Sequence, residues 1–222
     1  MFGIKKLLAS SDQEDSLGKG FREKRFRFFE EKVKTHFEGK EKITVLDVGG
    51  TQKYWEDKKL VQEMNLHITI LNLEQIPVSG SHFSSVAGDA TDLAAYADKS
   101  FDLVFSNSVI EHLYTWENQQ KMAKEIRRVG KCYFVQTPNK YFVIEPHYAL
   151  PLFQFIPKKL GYLILTKTKL SRFSQWEPIA AQQYLDEIKL LSLKEMRYVF
   201  PDGSVYREKV LGMDKSFTLY RF

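Results

Sequence analysis

The chain has 222 residues, 43% of them hydrophobic and 27% charged, enough for one sizeable α/β domain and too few for two. Its net charge of +5 is too mild to imply a nucleic-acid partner, and none is expected. The single cysteine, Cys132, lies in an apolar run, so an internal disulfide is excluded and a small buried side chain is the natural reading.

Residues 1–10 carry Lys5 and Lys6 before only Leu7, Leu8 and Ala9, too short an apolar region for a signal peptide. No stretch reaches the roughly 18 apolar residues of a spanning helix. A cytoplasmic protein is therefore expected. Residues 1–40 are basic with interleaved aromatics, and the spacing predicts an amphipathic helix over Phe21 to Phe37, docked through its Phe positions and Val33 and preceded by a mobile tail.

From Ile43 the pattern changes. Short apolar runs at Ile43–Val48, His67–Leu73, Phe101–Ser106 and Cys132–Gln136, with a weaker one at Ser84–Ala87, are closed by polar or glycine residues. Near-continuous apolarity predicts strands buried on both faces, hence a parallel sheet. Helices are predicted over Trp55 to Asn65 and over Thr115 to Val129, the second stopped by Gly130. Only about ten residues join Glu74 to the weak strand, near the minimum for a parallel crossover, so that helix should be reduced or missing. Beyond Pro138 the order loosens. A helix over Ile179 to Leu190, a strand over Leu193 to Phe200, a turn at Pro201-Asp202-Gly203 and a last strand over Ser216 to Phe222 are predicted. The fold class is thus α/β, doubly wound and Rossmann-like, with an antiparallel end.

Chemistry concentrates at strand ends, where open parallel sheets bind ligands. Asp47 with Gly49 and Gly50 closes the first strand, and Glu74 the second, where an acid suits a ribose diol. Asp89 with Ala90 follows the third, and Ser106-Asn107-Ser108-Val109-Ile110-Glu111-His112-Leu113 the fourth. Carboxylates are strong acceptors for hydroxyl and amine donors. No Lys or Arg flanks Glu74, which disfavours a 2′-phosphate.

Together, Val45-Leu46-Asp47-Val48-Gly49-Gly50, Asn72-Leu73-Glu74, Gly88-Asp89-Ala90 and Phe101 through Leu113 resemble the motif series of the class I S-adenosylmethionine-dependent methyltransferases. Tyr133-Phe134-Val135-Gln136-Thr137-Pro138-Asn139 resembles the family's next strand. The resemblance covers roughly residues 40–140. It implies S-adenosylmethionine as cofactor, with Asp47, Gly49 and Gly50 facing its methionine part, Glu74 its ribose, Asp89 and Ala90 its adenine, and Ser106 or Asn107 its amino group. The family often has a third spaced glycine, where this chain reads Thr51-Gln52-Lys53-Tyr54-Trp55. Lys53 should point outward or toward the cofactor carboxylate. The implied division is an N-terminal helical extension over 1–40 and a methyltransferase domain over 41–222, with a helical lid inserted at 139–178.

The resemblance implies methyl transfer to a small-molecule or saccharide acceptor, at oxygen. A hydroxyl acceptor would need a base, and His112 and His147 are the candidates, with packing histidines as the alternative. No residue is assigned to a metal. Residues 146–176 lack Asp and Glu but carry Lys158, Lys159, Lys167, Lys169 and Arg172 among apolar residues. They form either a plain cap or a lid favouring an anionic or lipid-linked acceptor, or a membrane surface. The competing readings are a non-catalytic subunit of the same fold and a nicotinamide-dependent oxidoreductase.

Overall fold

A computed structural model describes residues 17–222; the tail expected over the first residues lies outside them. The first helix, α1 (Leu17–His36), is followed by β1 (Ile43–Val48). Two short helices, α2 (Gln52–Trp55) and α3 (Leu60–Glu63), lead to β2 (Leu66–Asn72), β3 (Phe83–Ala87) and β4 (Phe101–Asn107). Then come α4 (Trp116–Val129), β5 (Gly130–Pro138), a small ribbon of β6 (Ile144–Glu145) and β7 (Leu150–Pro151), and the helices α5 (Lys158–Lys167), α6 (Pro178–Glu187) and α7 (Leu193–Val199). A hairpin of β8 (Ser204–Val210) and β9 (Met213–Arg221) ends the chain.

Seven strands form one sheet in the order β3-β2-β1-β4-β5-β9-β8. The first five in that order run parallel, and β9 pairs antiparallel with both β5 and β8. Alternate residues of the central strands enter two cores, as continuous apolarity requires. Val45, Leu103, Phe105 and Phe134 face Phe26, Phe29 and Val33 of α1 with Trp55. Leu46, Val48, Val104 and Val135 face Met122, Ala123 and Ile126 of α4 and Met196 of α7. The predicted docking of the leading helix is therefore met, and its Arg25 adds a buried ion pair with Glu208 of β8 at 2.9 Å.

Three elements differ from expectation. The helix expected over Trp55 to Asn65 breaks into α2 and α3 across the charged run Glu56-Asp57-Lys58-Lys59. Leu193 to Phe200 is a helix followed by one residue rather than a strand, because Ser192 and Glu195 form a capping box at its start. The partner of the last strand is β8 instead, and the two-residue loop Leu211-Gly212 has φ of 49° and 82°, as a type I′ hairpin turn needs. Between β2 and β3, residues 73–82 run as turn and coil, so the expected loss of a crossover helix holds. Gln75 Nε2 donates to the Ser85 carbonyl, and Ser85 Oγ accepts from the Ile76 N–H. Gln52 of α2 clasps Ser79 through both its amide atoms.

Candidate active site

Parallel pairing brings the carboxyl ends of β1 to β5 to one edge of the sheet, through the register Val48↔Leu71, Asn72↔Ala87, Val48↔Ser106 and Asn107↔Gln136. Asp47 lies just inside that edge and is buried. Trp55 Nε1 donates to its Oδ2 at 2.7 Å, while Oδ1 has no hydrogen-bond partner among the described residues. Burial pushes its carboxyl up to about 7, against the opposing pull of the Trp55 hydrogen bond.

Both glycines of the loop are required by space. Gly49 sits at φ +75°, where a Cβ would stand 2.5 Å from a Val109 methyl carbon. At Gly50 a Cβ would stand 1.8 Å from Asp47 Oδ2. Thr51, in place of a further glycine, adopts ordinary extended backbone at φ −137°, so the missing glycine costs the turn nothing. The Asn72 side chain donates to the Gly50 carbonyl at 3.0 Å and ties the loop to β2. Lys53 is exposed, as expected.

Glu74 is exposed at the tip of β2, on the strap that Gln52 clasps. Asp89 is exposed at the tip of β3, its Oδ1 accepting from the N–H and hydroxyl of Thr91, and Ala90 beside it is buried. The Ser106 hydroxyl is buried and donates to the Val48 carbonyl. Asn107 is half-buried, and its Oδ1 has no partner among the described residues. The edge therefore presents unsatisfied or exposed acceptors along a loop stripped of side chains. That donor-poor set fits a ligand rich in amine and hydroxyl donors, as S-adenosylmethionine is.

The two candidate histidines, 35 residues apart, are brought together: His112 Nε2 lies 3.2 Å from His147 Nε2. His112 Nδ1 is 2.6 Å from Glu187 Oε1 at the end of α6, and His147 Nδ1 is 2.7 Å from Glu145 Oε1 on β6. Glu145 also accepts from the Tyr148 N–H. Glu111 is fully buried between them and the sheet, with Oε2 accepting from Thr137 Oγ1 of β5 at 2.9 Å. Burial raises the Glu111 carboxyl above its usual range, although both histidines act against this. At His147 burial acts downward, but the Glu145 and Glu111 carboxylates outweigh it and the imidazole pKa is raised. Sequence reasoning singled out the histidines and missed Glu111, Glu145 and Glu187. The spacings Glu111-His112 and Glu145-Pro146-His147 were visible signals, whereas Glu187 had none.

Residues 139–178 build their own small core of Tyr148, Phe153 and Leu165, closed by Ala181 and Leu185 of α6. Lys158 is paired with Asp186 of α6 at 2.8 Å, which removes one of the free positive charges expected there. Leu160 and Leu163 of α5, and Leu170 and Phe173 after it, remain exposed.

Residues 41–132 match the family described as "Methyltransferase domain". Residues 41–132, which hold the glycine loop and the acids at successive strand ends, therefore carry a methyltransferase domain, and the site fits S-adenosylmethionine as its cofactor. Two uncharacterized proteins of Mycobacterium tuberculosis, from strains CDC 1551 / Oshkosh and ATCC 25618 / H37Rv, are each 33% identical over 57 residues, 26% of this chain. The match spans only 20% of those relatives' length. A SAM dependent methyltransferase from Archaeoglobus fulgidus is similar in structure, with TM-score 0.51, 13% identity and coverage of 89% of this chain and 96% of that one. An O-methyltransferase family protein from Burkholderia thailandensis has TM-score 0.50 and 11% identity, over 90% of this chain and 57% of that one. At such identities these two structures speak for the fold alone.

Proposed function

We propose that the protein transfers a methyl group from S-adenosylmethionine to a hydroxyl of a small-molecule or saccharide acceptor. The observation that carries this is the histidine pair, held by carboxylates beside the ends of β4 and β5, on the same sheet edge as the cofactor residues. When bound, the cofactor supplies an activated methyl group on a sulfonium. Asp47 and the Gly49–Gly50 backbone would hold its methionine part, Glu74 its ribose, Asp89 and Ala90 its adenine, and Asn107 its amino end. The Ser106 hydroxyl, donating to the Val48 carbonyl, fixes the strand end, and the backbone carbonyl of Ser106 would serve the amino end as that of Asn107 would. In-line displacement asks of the protein mainly orientation and approach distance. A hydroxyl acceptor must also lose a proton, and the facing Nε2 atoms are the groups placed to receive it. The segment 139–178 serves as the lid that excludes water above them.

S-adenosylhomocysteine should raise the melting temperature by mass action, and NAD should not. Glu74→Ala should abolish that shift. Stabilisation by NAD alone would overturn the methyl-transfer reading, and a normal shift in Glu74→Ala would remove Glu74 from the ribose.

A second reading concerns where the acceptor resides. Exposed Leu160, Leu163 and Phe173, with Lys159, Lys167 and Lys169 nearby, support an anionic or lipid-linked acceptor met at a membrane surface. No helix among the described residues is long and apolar enough to cross a membrane. Replacing those three lysines by glutamine should lower sedimentation with phosphatidylserine vesicles severalfold. Unchanged sedimentation rules the surface out.

A further inference from the structure

The two imidazoles face each other in a way that neutral histidines do not tolerate alone. Carboxylates accept hydrogen bonds, so Glu187 and Glu145 place the protons of both rings on Nδ1. Each Nε2 then presents a lone pair, and the two are 3.2 Å apart. A proton or a cation has to lie between them. Glu111 adds a buried carboxylate oxygen, Oε1, that has no partner among the described residues. One ligand atom from each of Glu111, His112 and His147 lies within 4.8 Å of the others.

We propose that Glu111, His112 and His147 form a binding site for one divalent transition-metal ion. The geometry suits it: two nitrogens at ~2.1 Å from a tetrahedral centre stand ~3.4 Å apart. So does the surrounding shell. Ligating histidines ordinarily donate their other N–H to a carboxylate, which fixes the tautomer and raises ligand basicity, and both do so here. Glu111 is likewise steadied by Thr137. Charge favours a dication over a shared proton, since three carboxylates surround the two rings. The nearby cation, Arg172, is engaged with the carbonyls of Pro146 and His147. Imidazole ligation selects ions such as Zn²⁺, Co²⁺ or Ni²⁺ over Mg²⁺ and Ca²⁺. The His112 side chain is 28% exposed, which leaves the ion an open side for an acceptor oxygen. With the ion bound, the Nε2 atoms ligate it in place of acting as the base, the ion lowers the pKa of the acceptor hydroxyl, and the released proton passes to water at the open side. That last role rests on the methyl-transfer reading; metal binding does not.

The test is Co²⁺ titration of the chelator-treated full chain without cofactor, followed by visible absorption and calorimetry, with Mg²⁺ titrated in parallel. One Co²⁺ per chain with ligand-field bands is expected. Glu111→Gln and His147→Ala should each weaken binding at least tenfold, and Glu145→Gln ~10–100-fold through the tautomer it sets. The S-adenosylhomocysteine melting shift, measured without metal, verifies that each variant is folded; circular dichroism does so if the wild type lacks that shift. Absence of Co²⁺ bands in the wild type, undiminished binding by folded His147→Ala, or binding of Mg²⁺ but not Co²⁺ would each overturn the proposal. Loss of the cofactor shift with Co²⁺ binding intact would instead count against methyl transfer.

Discussion

Asp47→Asn is expected to make the ligand-free protein more stable at pH 8 and, at the same time, poorer at binding cofactor. The Asp47 carboxyl, ordinarily near 3.8, is pushed up to about 7 by burial. An acid raised in the fold favours it when protonated. Its contribution is therefore complete below about pH 4 and is lost as pH rises through 7, a loss on the order of 2–4 kcal/mol by pH 8. Asparagine keeps the oxygen that accepts from Trp55 and removes the charge. Urea unfolding should show the variant gaining about 1–3 kcal/mol over the parent at pH 8 and little at pH 5. In the parent, the unpartnered Oδ1 gains from a cofactor's ammonium, so S-adenosylhomocysteine affinity should rise with pH up to about 7. The variant should lose at least tenfold in affinity together with that slope. An unchanged pH dependence of stability would show that Asp47 is not the buried titrating acid.

The second large effect lies at the β8 margin of the sheet. Arg25 of α1 and Glu208 of β8 are paired at 2.9 Å with side-chain exposures of 6% and 2%, and the Ser216 hydroxyl also donates to Glu208. Breaking such a pair strands a buried charge, which typically costs about 3–5 kcal/mol. Arg25→Met should therefore lower unfolding stability by that amount. Adding Glu208→Gln should recover most of it, since a neutral amide removes the stranded charge. A single variant within about 1 kcal/mol of the parent would mean that α1 contributes only apolar packing. The pair matters because it staples the leading helix to the outermost strand, beside the stacked rings of Phe28 and Tyr206 at 4.4 Å.

What the sequence disclosed follows the range of the forces involved. β1, β2, β4 and β5 were legible because burial in the sheet interior writes a near-continuous apolar run, whereas β3, an exposed edge strand, left only a weak one. The cofactor residues were legible because each sits directly after such a run. Leu193 to Phe200 was misread because Leu193, Met196, Val199 and Phe200 serve a short helix as well as a strand, and Ser192 with Glu195 was the deciding signal. β8 went unseen because much of it is polar and exposed. His112 and His147 could be nominated singly, but their meeting depends on the fold. Glu187 reaches His112 across 75 residues, a separation that no local pattern encodes.

The strap that replaces the β2–β3 crossover helix couples parts that a helix would have kept separate. Glu74 begins it, Gln75 and Ile76 are moored to Ser85, and Ser79 is buckled to Gln52, one turn beyond the glycine loop. The loop and the acid thus belong to one hinged plate, secured by side-chain bonds at its margins rather than by an intervening core. Cofactor arrival at either end should quieten both, and amide exchange across 73–82 would register occupancy of a loop that lies outside that segment.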